Sequence, residues 1–219
     1  APASPTSRAR GHAVTSLGSG QNAGGTGLTR ERLAGVDVAI EFTRPDAAPA
    51  NLQRLLEAGV PAVTGTTGWE AELPRLAALC QAQGGALLHA ANFSAGVQLF
   101  LRAAQALARE MAGRGEFDGY IVEAHHVAKR DAPSGTARHL QRLAQAADPS
   151  REFPITSLRA GSIPGEHTLG FDGPHDAITL THTARDRTAF AEGAVRAAEW
   201  LAGRRGVFTF EHVLFGDSA

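Results

Sequence analysis

The chain has almost no sulfur chemistry to offer. One cysteine, Cys80, stands among 219 residues, so there is no internal disulfide and no thiolate set for structural zinc, a usage that fits a reducing cytoplasm. Net charge is equally scarce. With 21 basic side chains against 22 acidic ones the formal charge is -1, and no basic field exists to attract nucleic acid or an anionic membrane. Long apolar runs are missing too: Val36 to Ile40 and Ala86 to Ala91 fall far short of the roughly 20 residues that cross a bilayer, and Ala1 to Arg10 has no apolar signal core. The expectation is a soluble cytoplasmic protein with neither nucleic acid nor membrane as partner. The last scarcity is lysine, which occurs once, at Lys129, among the 21 basic residues.

What is present is enough apolar side chain, 43% of the chain, to build one large core or two small ones. In the first half, short apolar runs alternate with segments of helical period. Val36 to Phe42 reads as a strand, and Ala50 to Ala58 as a helix with Leu52, Leu55 and Leu56 on one face, stopped by Gly59. Val60 to Thr64 is the next strand, followed by a Gly65-Thr66-Thr67-Gly68 turn. A helix from Trp69 to Ala82 turns Leu73, Leu76, Ala77 and Cys80 inward. Ala86 to Ala91 is another strand and Ala95 to Met111 a long amphipathic helix. This alternation predicts a parallel, Rossmann-like α/β sheet. The second half changes character. Phe117 to Ala124 reads as a strand, Ser134 to Ala146 as a helix, and Ile155 to Arg159, His167 to Phe171 and Ile178 to Thr183 as short alternating strands. That pattern predicts a smaller α+β domain with a mostly antiparallel sheet. A helix from Arg187 to Ala202 follows, and Val207 to Leu214 reads as one more strand. Ser16 to Gly27 is a Gly- and Ser-rich loop.

The densest polar cluster runs from Glu123 to Thr136, where a strand ends and a helix begins, the place where α/β proteins carry their sites. Ser134, Gly135 and Thr136 at a helix start leave backbone N–H groups for a carboxylate or phosphate; an ordinary capped helix reads the same way. His125 and His126 are neighbours whose side chains diverge. Glu123 and Asp131 complete no zinc-ligand spacing with them, so no metal is expected, and the histidines are open to acid or base work or to a structural role. Lys129 is more telling. A compact ammonium can give up its proton near neutrality when partly desolvated, which a guanidinium cannot, although a single lysine can also be accidental. Gly65-Thr66-Thr67-Gly68 and Ala90-Ala91-Asn92-Phe93-Ser94 follow successive strands and open at the same sheet edge. Together they suit a flat ligand lying across strand ends, or merely two turns that cap helices.

The runs Glu41-Phe42-Thr43-Arg44-Pro45, Gly65-Thr66-Thr67-Gly68, Asn92-Phe93-Ser94-Ala95-Gly96-Val97, Glu123-Ala124-His125-His126 through Lys129 to Asp131-Ala132-Pro133-Ser134-Gly135-Thr136-Ala137, and His182-Thr183-Ala184 with Arg187 and Phe190-Ala191 resemble the 4-hydroxy-tetrahydrodipicolinate reductase family. The resemblance extends over nearly the whole chain from Gly11 onward. It implies an oxidoreductase of diaminopimelate and lysine biosynthesis that uses NADH or NADPH on a cyclic dicarboxylate and assembles as a homotetramer. By resemblance His125 is the acid/base and Lys129 the proton donor. His126, Ser134, Gly135, Thr136 and Arg187 hold the substrate. Gly65, Thr66, Thr67, Ala90, Ala91, Asn92 and Phe93 contact the cofactor. The implied domains are a nucleotide-binding domain over residues 1–92, a substrate-binding and oligomerisation domain over 93–186, and a C-terminal helix and strand over 187–219 that return to the first.

Two departures from the family pattern stand out. Its opening strand and G-x-x-G-x-M-G phosphate turn have no counterpart, and Ser7 to His12 resembles the end of the helix that follows that turn. The segment His12 to Leu17, by resemblance the family's second strand, also ends without the acidic residue that grips an NAD ribose, leaving NADH and NADPH both open. The alternative reading is a non-catalytic dicarboxylate-binding or regulatory homologue without a dinucleotide loop. A metal hydrolase built on His125 and His126 is a third.

Overall fold

The computed structural model describes residues 3–216. In chain order its elements are α1 (Ala3–Ala9), α2 (Arg30–Leu33), β1 (Ala39–Glu41), α3 (Ala48–Glu57), β2 (Ala62–Thr64), α4 (Leu73–Ala82), β3 (Ala86–His89), α5 (Ala95–Met111), β4 (Asp118–His125), α6 (Gly135–Ala147), β5 (Ile155–Arg159), β6 (Glu166–Asp172), β7 (Ala177–Thr183), α7 (Thr188–Leu201), β8 (Gly206–Thr209) and α8 (Phe210–Phe215). They fall into two compact units, one running to Ala95 and resuming at Thr188, the other spanning Gly96–Arg187. Among the described residues no helix is long and apolar enough to cross a membrane.

The first unit is built on an all-parallel sheet of order β1-β2-β3-β8. Side chains alternate faces along a strand, so one face receives Ala62 and Leu87 and the other Val63, Ala86 and Leu88. The first set packs with Leu52, Leu55 and Leu56 of α3, Leu76 and Cys80 of α4, and Trp69. The second packs with Ala194, Ala197 and Leu201 of α7, Phe93, and Phe210 and Val213 of α8. Burial on both faces is why these strands read as unbroken apolar runs. One close approach fixes α7: a Cβ on Gly193 would lie 1.7 Å from the Phe93 carbonyl oxygen, so only glycine lets the helix sit there.

Two expectations in this unit are corrected. His12 to Leu17 forms no strand. Only Val14 and Leu17 in that run are even half-buried, and without an apolar face or a ladder partner the extended chain has nothing to pair with. Val207 to Leu214 is not one strand either: β8 stops at Thr209 and α8 follows. His212, in the first turn of α8, accepts the Thr209 backbone N–H on its Nδ1 at 3.0 Å and satisfies a donor that the helix start leaves open.

The second unit is a mixed sheet of order β5-β4-β6-β7 in which only the β4–β5 pair is parallel. Its registers align whole rows of side chains. Ile155, Ile121, Leu169 and Leu180 form one cross-strand row, and α5 and α6 cover that face with Val97, Phe100, Leu101, Ala104, Ala108, Met111, Ala137, Leu140 and Ala144. The α5 spacing is the three-and-four repeat of an amphipathic helix. Among the described residues no helix covers the opposite face, where Val122 and Leu158 remain 37% and 50% exposed.

Candidate functional site

One step along the strands from the apolar row, the same registers align Ser157, Glu123, His167 and His182 from β5, β4, β6 and β7. The next step pairs Arg159 with His125. The covered face of the sheet thus passes from hydrocarbon to a polar cluster at the carboxyl end of β4. Glu123 is completely buried, and His125 and His167 are 8% and 5% exposed. Burying a carboxylate is costly unless its lone pairs are filled. Here Arg159 Nη2 donates to Oε1 at 2.7 Å and Nη1 to Oε2 at 3.0 Å. Ser134 N–H donates to Oε1 at 3.3 Å, and His125 Nδ1 bonds Oε2.

These bonds decide the charge states. Burial alone pushes the Glu123 carboxyl up, but the donors from Arg159 and His125 outweigh it and hold its pKa down to about 2. An ionised carboxylate only accepts, so His125 Nδ1 carries the proton and the lone pair of the neutral ring is on Nε2. Burial lowers the His125 pKa against the opposing pull of Glu123, and the Lys129 and Arg159 charges add to the lowering. A Cβ on Gly165, whose φ is +144°, would come within 3.2 Å of His125 Nε2, so glycine there keeps that nitrogen clear. His167 packs edge-on to His125 with ring centroids 5.1 Å apart. Burial, then neighbouring His125, hold its pKa down to about 4.

The expectation that no acid stands in a ligand pattern with a histidine is corrected. Ligand atoms of Glu123, His125 and His167 lie within 4.8 Å of one another, because β4 places Glu123 and His125 on one face and β6 brings His167 opposite Glu123. Both Glu123 oxygens already carry donors, so the trio is wired as a hydrogen-bonded network, and a cation there would have to displace the Arg159 guanidinium. His126 is exposed while His125 is buried, so the two adjacent histidines share no site.

Beyond β4 the chain turns, with Lys129 N–H donating to the His126 carbonyl at 3.1 Å. Lys129 Nζ reaches both Asp131 carboxylate oxygens at 2.8 and 3.0 Å, and that bond is the main cause of the lowered Asp131 pKa. Ser134 caps α6: its Oγ accepts from Ala137 N–H at 3.1 Å and hydrogen-bonds His167 Nε2 at 3.0 Å. With the Ser134 N–H on Glu123, the donors left at the helix start are the backbone N–H groups of Gly135 and Thr136. Arg187 is exposed at the end of this unit, one residue before α7 rather than within it. Sequence reading did not single out Arg159 and His167. The available signal was a polar residue at an inward position of each alternating strand, His167-x-Leu169-x-Phe171 and Ile155-x-Ser157-x-Arg159.

In the first unit, the loops after β2 and β3 open at the carboxyl edge of the parallel sheet. Thr66, Thr67, Ala90 and Ala91 line one small cleft together with Trp69, Glu70, Leu73 and His89. Thr66 Oγ1 accepts the Thr43 N–H at 2.8 Å and its carbonyl accepts Trp69 Nε1–H at 2.7 Å, so the turn is held from two sides. Gly65 lies against the Phe42 ring, which a Cβ would meet at 2.1 Å. Asn92 Oδ1 accepts the Ser94 N–H at 2.8 Å. Phe93 lies in the core against Phe42 and Phe210, leaving its backbone rather than its ring for a ligand.

Comparison with known proteins adds the identity of the architecture. Residues 10–93 match the family model described as dihydrodipicolinate reductase, N-terminus, and residues 96–214 that described as its C-terminus. The 4-hydroxy-tetrahydrodipicolinate reductase of Christiangramia forsetii is 40% identical over 191 residues, covering 82% of this chain and 80% of its own. That of Natronomonas pharaonis is 38% identical over 226 residues, covering 92% and 90%. The solved structure of dipicolinate-bound dihydrodipicolinate reductase from Paenisporosarcina sp. TG-14 has 25% sequence identity and a TM-score of 0.69 over 81% of this chain and 74% of that one. Two family models that together span almost the whole chain, and relatives this similar over this length, establish that the protein belongs to the dihydrodipicolinate reductase family.

Proposed function

We propose that the protein reduces 4-hydroxy-tetrahydrodipicolinate to tetrahydrodipicolinate with NADH or NADPH, a step toward diaminopimelate and lysine, and acts in the cytoplasm, where its one buried thiol would stay reduced. The observation that carries this reading is the juxtaposition, in the second unit, of a tautomer-fixed histidine, an ammonium on an adjoining turn and an uncommitted helix start. The first unit fits a flat nucleotide end: Gly65, Thr66, Thr67, Ala90, Ala91 and the backbone of Asn92 and Phe93 would hold it, at a turn where a Cβ on Gly65 would displace the Phe42 ring. The phosphate turn that the family places before Ser7 has no counterpart among the described residues, where residues 3–9 form α1. When bound, the nicotinamide supplies hydride.

The chain's own residues supply charge and protons. One substrate carboxylate is held by the Gly135 and Thr136 N–H groups at the positive end of α6, with Ser134 fixing that helix start and His126 and Arg187 adding donors from the solvent side. Neutral His125 presents Nε2 as a proton acceptor, and its lowered pKa makes it a base or a hydrogen-bond acceptor at neutral pH. The 4-hydroxyl leaves as water, and Lys129 is the donor that delivers a proton to the ring of the dehydrated form as the hydride is accepted at C4, the dianion competing with Asp131 for its ammonium. The uncovered, largely uncharged face of the second sheet supports a homo-oligomer, with the tetramer as the expected form.

The test is binding followed by turnover. Pyridine-2,6-dicarboxylate should bind, raise the melting temperature and competitively inhibit substrate-dependent oxidation of NADH or NADPH. Absence of dicarboxylate binding at millimolar concentration would overturn the site. Binding without turnover at saturating nucleotide would leave the non-catalytic, dicarboxylate-binding reading in its place.

A further inference from the structure

Arg159 is given no role by the resemblance, yet its guanidinium bonds both the buried Glu123 carboxylate and the turn that bears Lys129. It ends β5 opposite His125. Its two terminal nitrogens grip Glu123 in a fork, at 2.7 and 3.0 Å. Nη2 also donates to the Asp131 carbonyl at 2.6 Å, and Nη1 to the Leu158 carbonyl at 2.7 Å. Each of the two main ends of this fork leads to a functional group. Glu123 accepts the Nδ1–H of His125 and the backbone N–H of Ser134. Asp131, pinned through its carbonyl, holds the Lys129 ammonium with its carboxylate.

We infer that Arg159 is a positioning residue that couples the tautomer and orientation of His125 to the placement of the turn bearing Lys129. This rests on the proposed reductase reading for the roles of those two groups. A buried carboxylate needs a countercharge, and a lysine would supply one. Only a planar fork fills both Glu123 oxygens and still has an N–H to give to a carbonyl on its far side. The charged and titratable groups around His125 are Glu123 on its own strand, Arg159 from β5, His167 from β6 and Lys129 from the turn. Removing Arg159 changes both the surroundings of the Glu123 carboxylate and a fixed cation that acts on His125.

The experiment uses the full chain with Arg159→Lys and Arg159→Met. Side-chain nitrogen NMR of His125 reads the tautomer without turnover. A single Nδ1–H form is expected in the parent, and a mixed population in both variants. In kinetics, Arg159→Lys should lose up to about a hundredfold in kcat, as expected for misplacement of reacting groups by about an ångström, while KM and the affinity for pyridine-2,6-dicarboxylate change only a few fold. Millimolar guanidinium should partly restore kcat and the single tautomer to Arg159→Met. Melting temperatures identify any variant that fails to fold, and Arg159→Lys, which keeps the charge, then carries the test. Parental kcat, pH profile and His125 tautomer in Arg159→Lys would overturn the inference, because charge alone would then suffice. A parent that shows the single tautomer but no turnover would refute the reductase reading while the NMR result still decided whether Arg159 positions His125.

Discussion

His167 gives the structure a measurable acid limb. Its ordinary value of 6.5 is held down to about 4, first by burial and then by the nearby His125, with Glu123 pulling the other way and His182 and Lys129 adding small further lowering. Because the folded value lies below the unfolded one, the unfolded chain binds more protons between those two pH values. The stability that depends on a neutral His167 is complete above the unfolded value and is lost as pH falls through 6.5 toward 4. The full shift is worth about 3 kcal/mol at 1.36 kcal/mol per unit. Between about pH 7 and about pH 5, roughly 2 kcal/mol of it should disappear, a sizeable part of an ordinary domain's stability. The assay is urea denaturation at the two pH values and one fixed protein concentration, for the parent and for His167→Gln. His125, His182 and His89 are also lowered by burial and weaken both proteins alike on acidification. The parent should therefore lose about 2 kcal/mol more than the variant. Equal losses would refute the conclusion that His167 is held neutral in the fold.

Two further outcomes follow from single contacts. Lys129→Arg keeps a cation beside Asp131 but replaces a compact ammonium donor with a wide guanidinium that stays protonated, so kcat should fall while dicarboxylate affinity holds, whereas Lys129→Met should weaken binding as well; steady-state kinetics with pyridine-2,6-dicarboxylate inhibition separates the two, and an Arg variant at parental rate would assign Lys129 charge alone. Gly193→Ala drives a Cβ to 1.7 Å from the Phe93 carbonyl oxygen, so α7 must shift and the melting temperature should fall by the equivalent of about 1–3 kcal/mol; an unchanged melting temperature would mean that the helix has slack there.

The α/β class and the mixed second sheet could be read from the chain because period carries that information: α5 and β5 occupy the spans their patterns predict, Ala95–Met111 and Ile155–Arg159. The errors came where local pattern is not decisive. His12 to Leu17 alternates weakly and has no partner, and a strand exists only by its pairing. The Thr209-x-x-His212 capping signal lay inside an apolar run and was outweighed by it. In the site, the residues from Glu123 to Thr136 form one contiguous run and were visible as such. Arg159 and His167 were not, because what makes them part of the site is cross-strand register, which aligns residues 36 and 44 positions away from Glu123 and is written in no single segment.

The two cations of the second unit show why side-chain type, and not charge, is what the site selects. Lysine stands once among 21 basic residues, on an exposed turn, with a single carboxylate partner that is itself half in water. That partner is weak enough for an incoming dianion to replace, and an ammonium released from it can pass on a proton. Arginine at 159 has the opposite surroundings. Its partner is a fully buried carboxylate, each of its two terminal nitrogens donates two hydrogen bonds, and its side chain is only 18% exposed. Guanidinium never gives up its proton there, so it can hold geometry through a catalytic cycle without entering the chemistry. Exchanging the two residues would leave every formal charge in place and still remove both a mobile proton and a fixed fork, so a double swap, Lys129→Arg with Arg159→Lys, should be at least as impaired in kcat as the worse of the two single variants. Recovery in the double swap would mean that the site reads net charge alone.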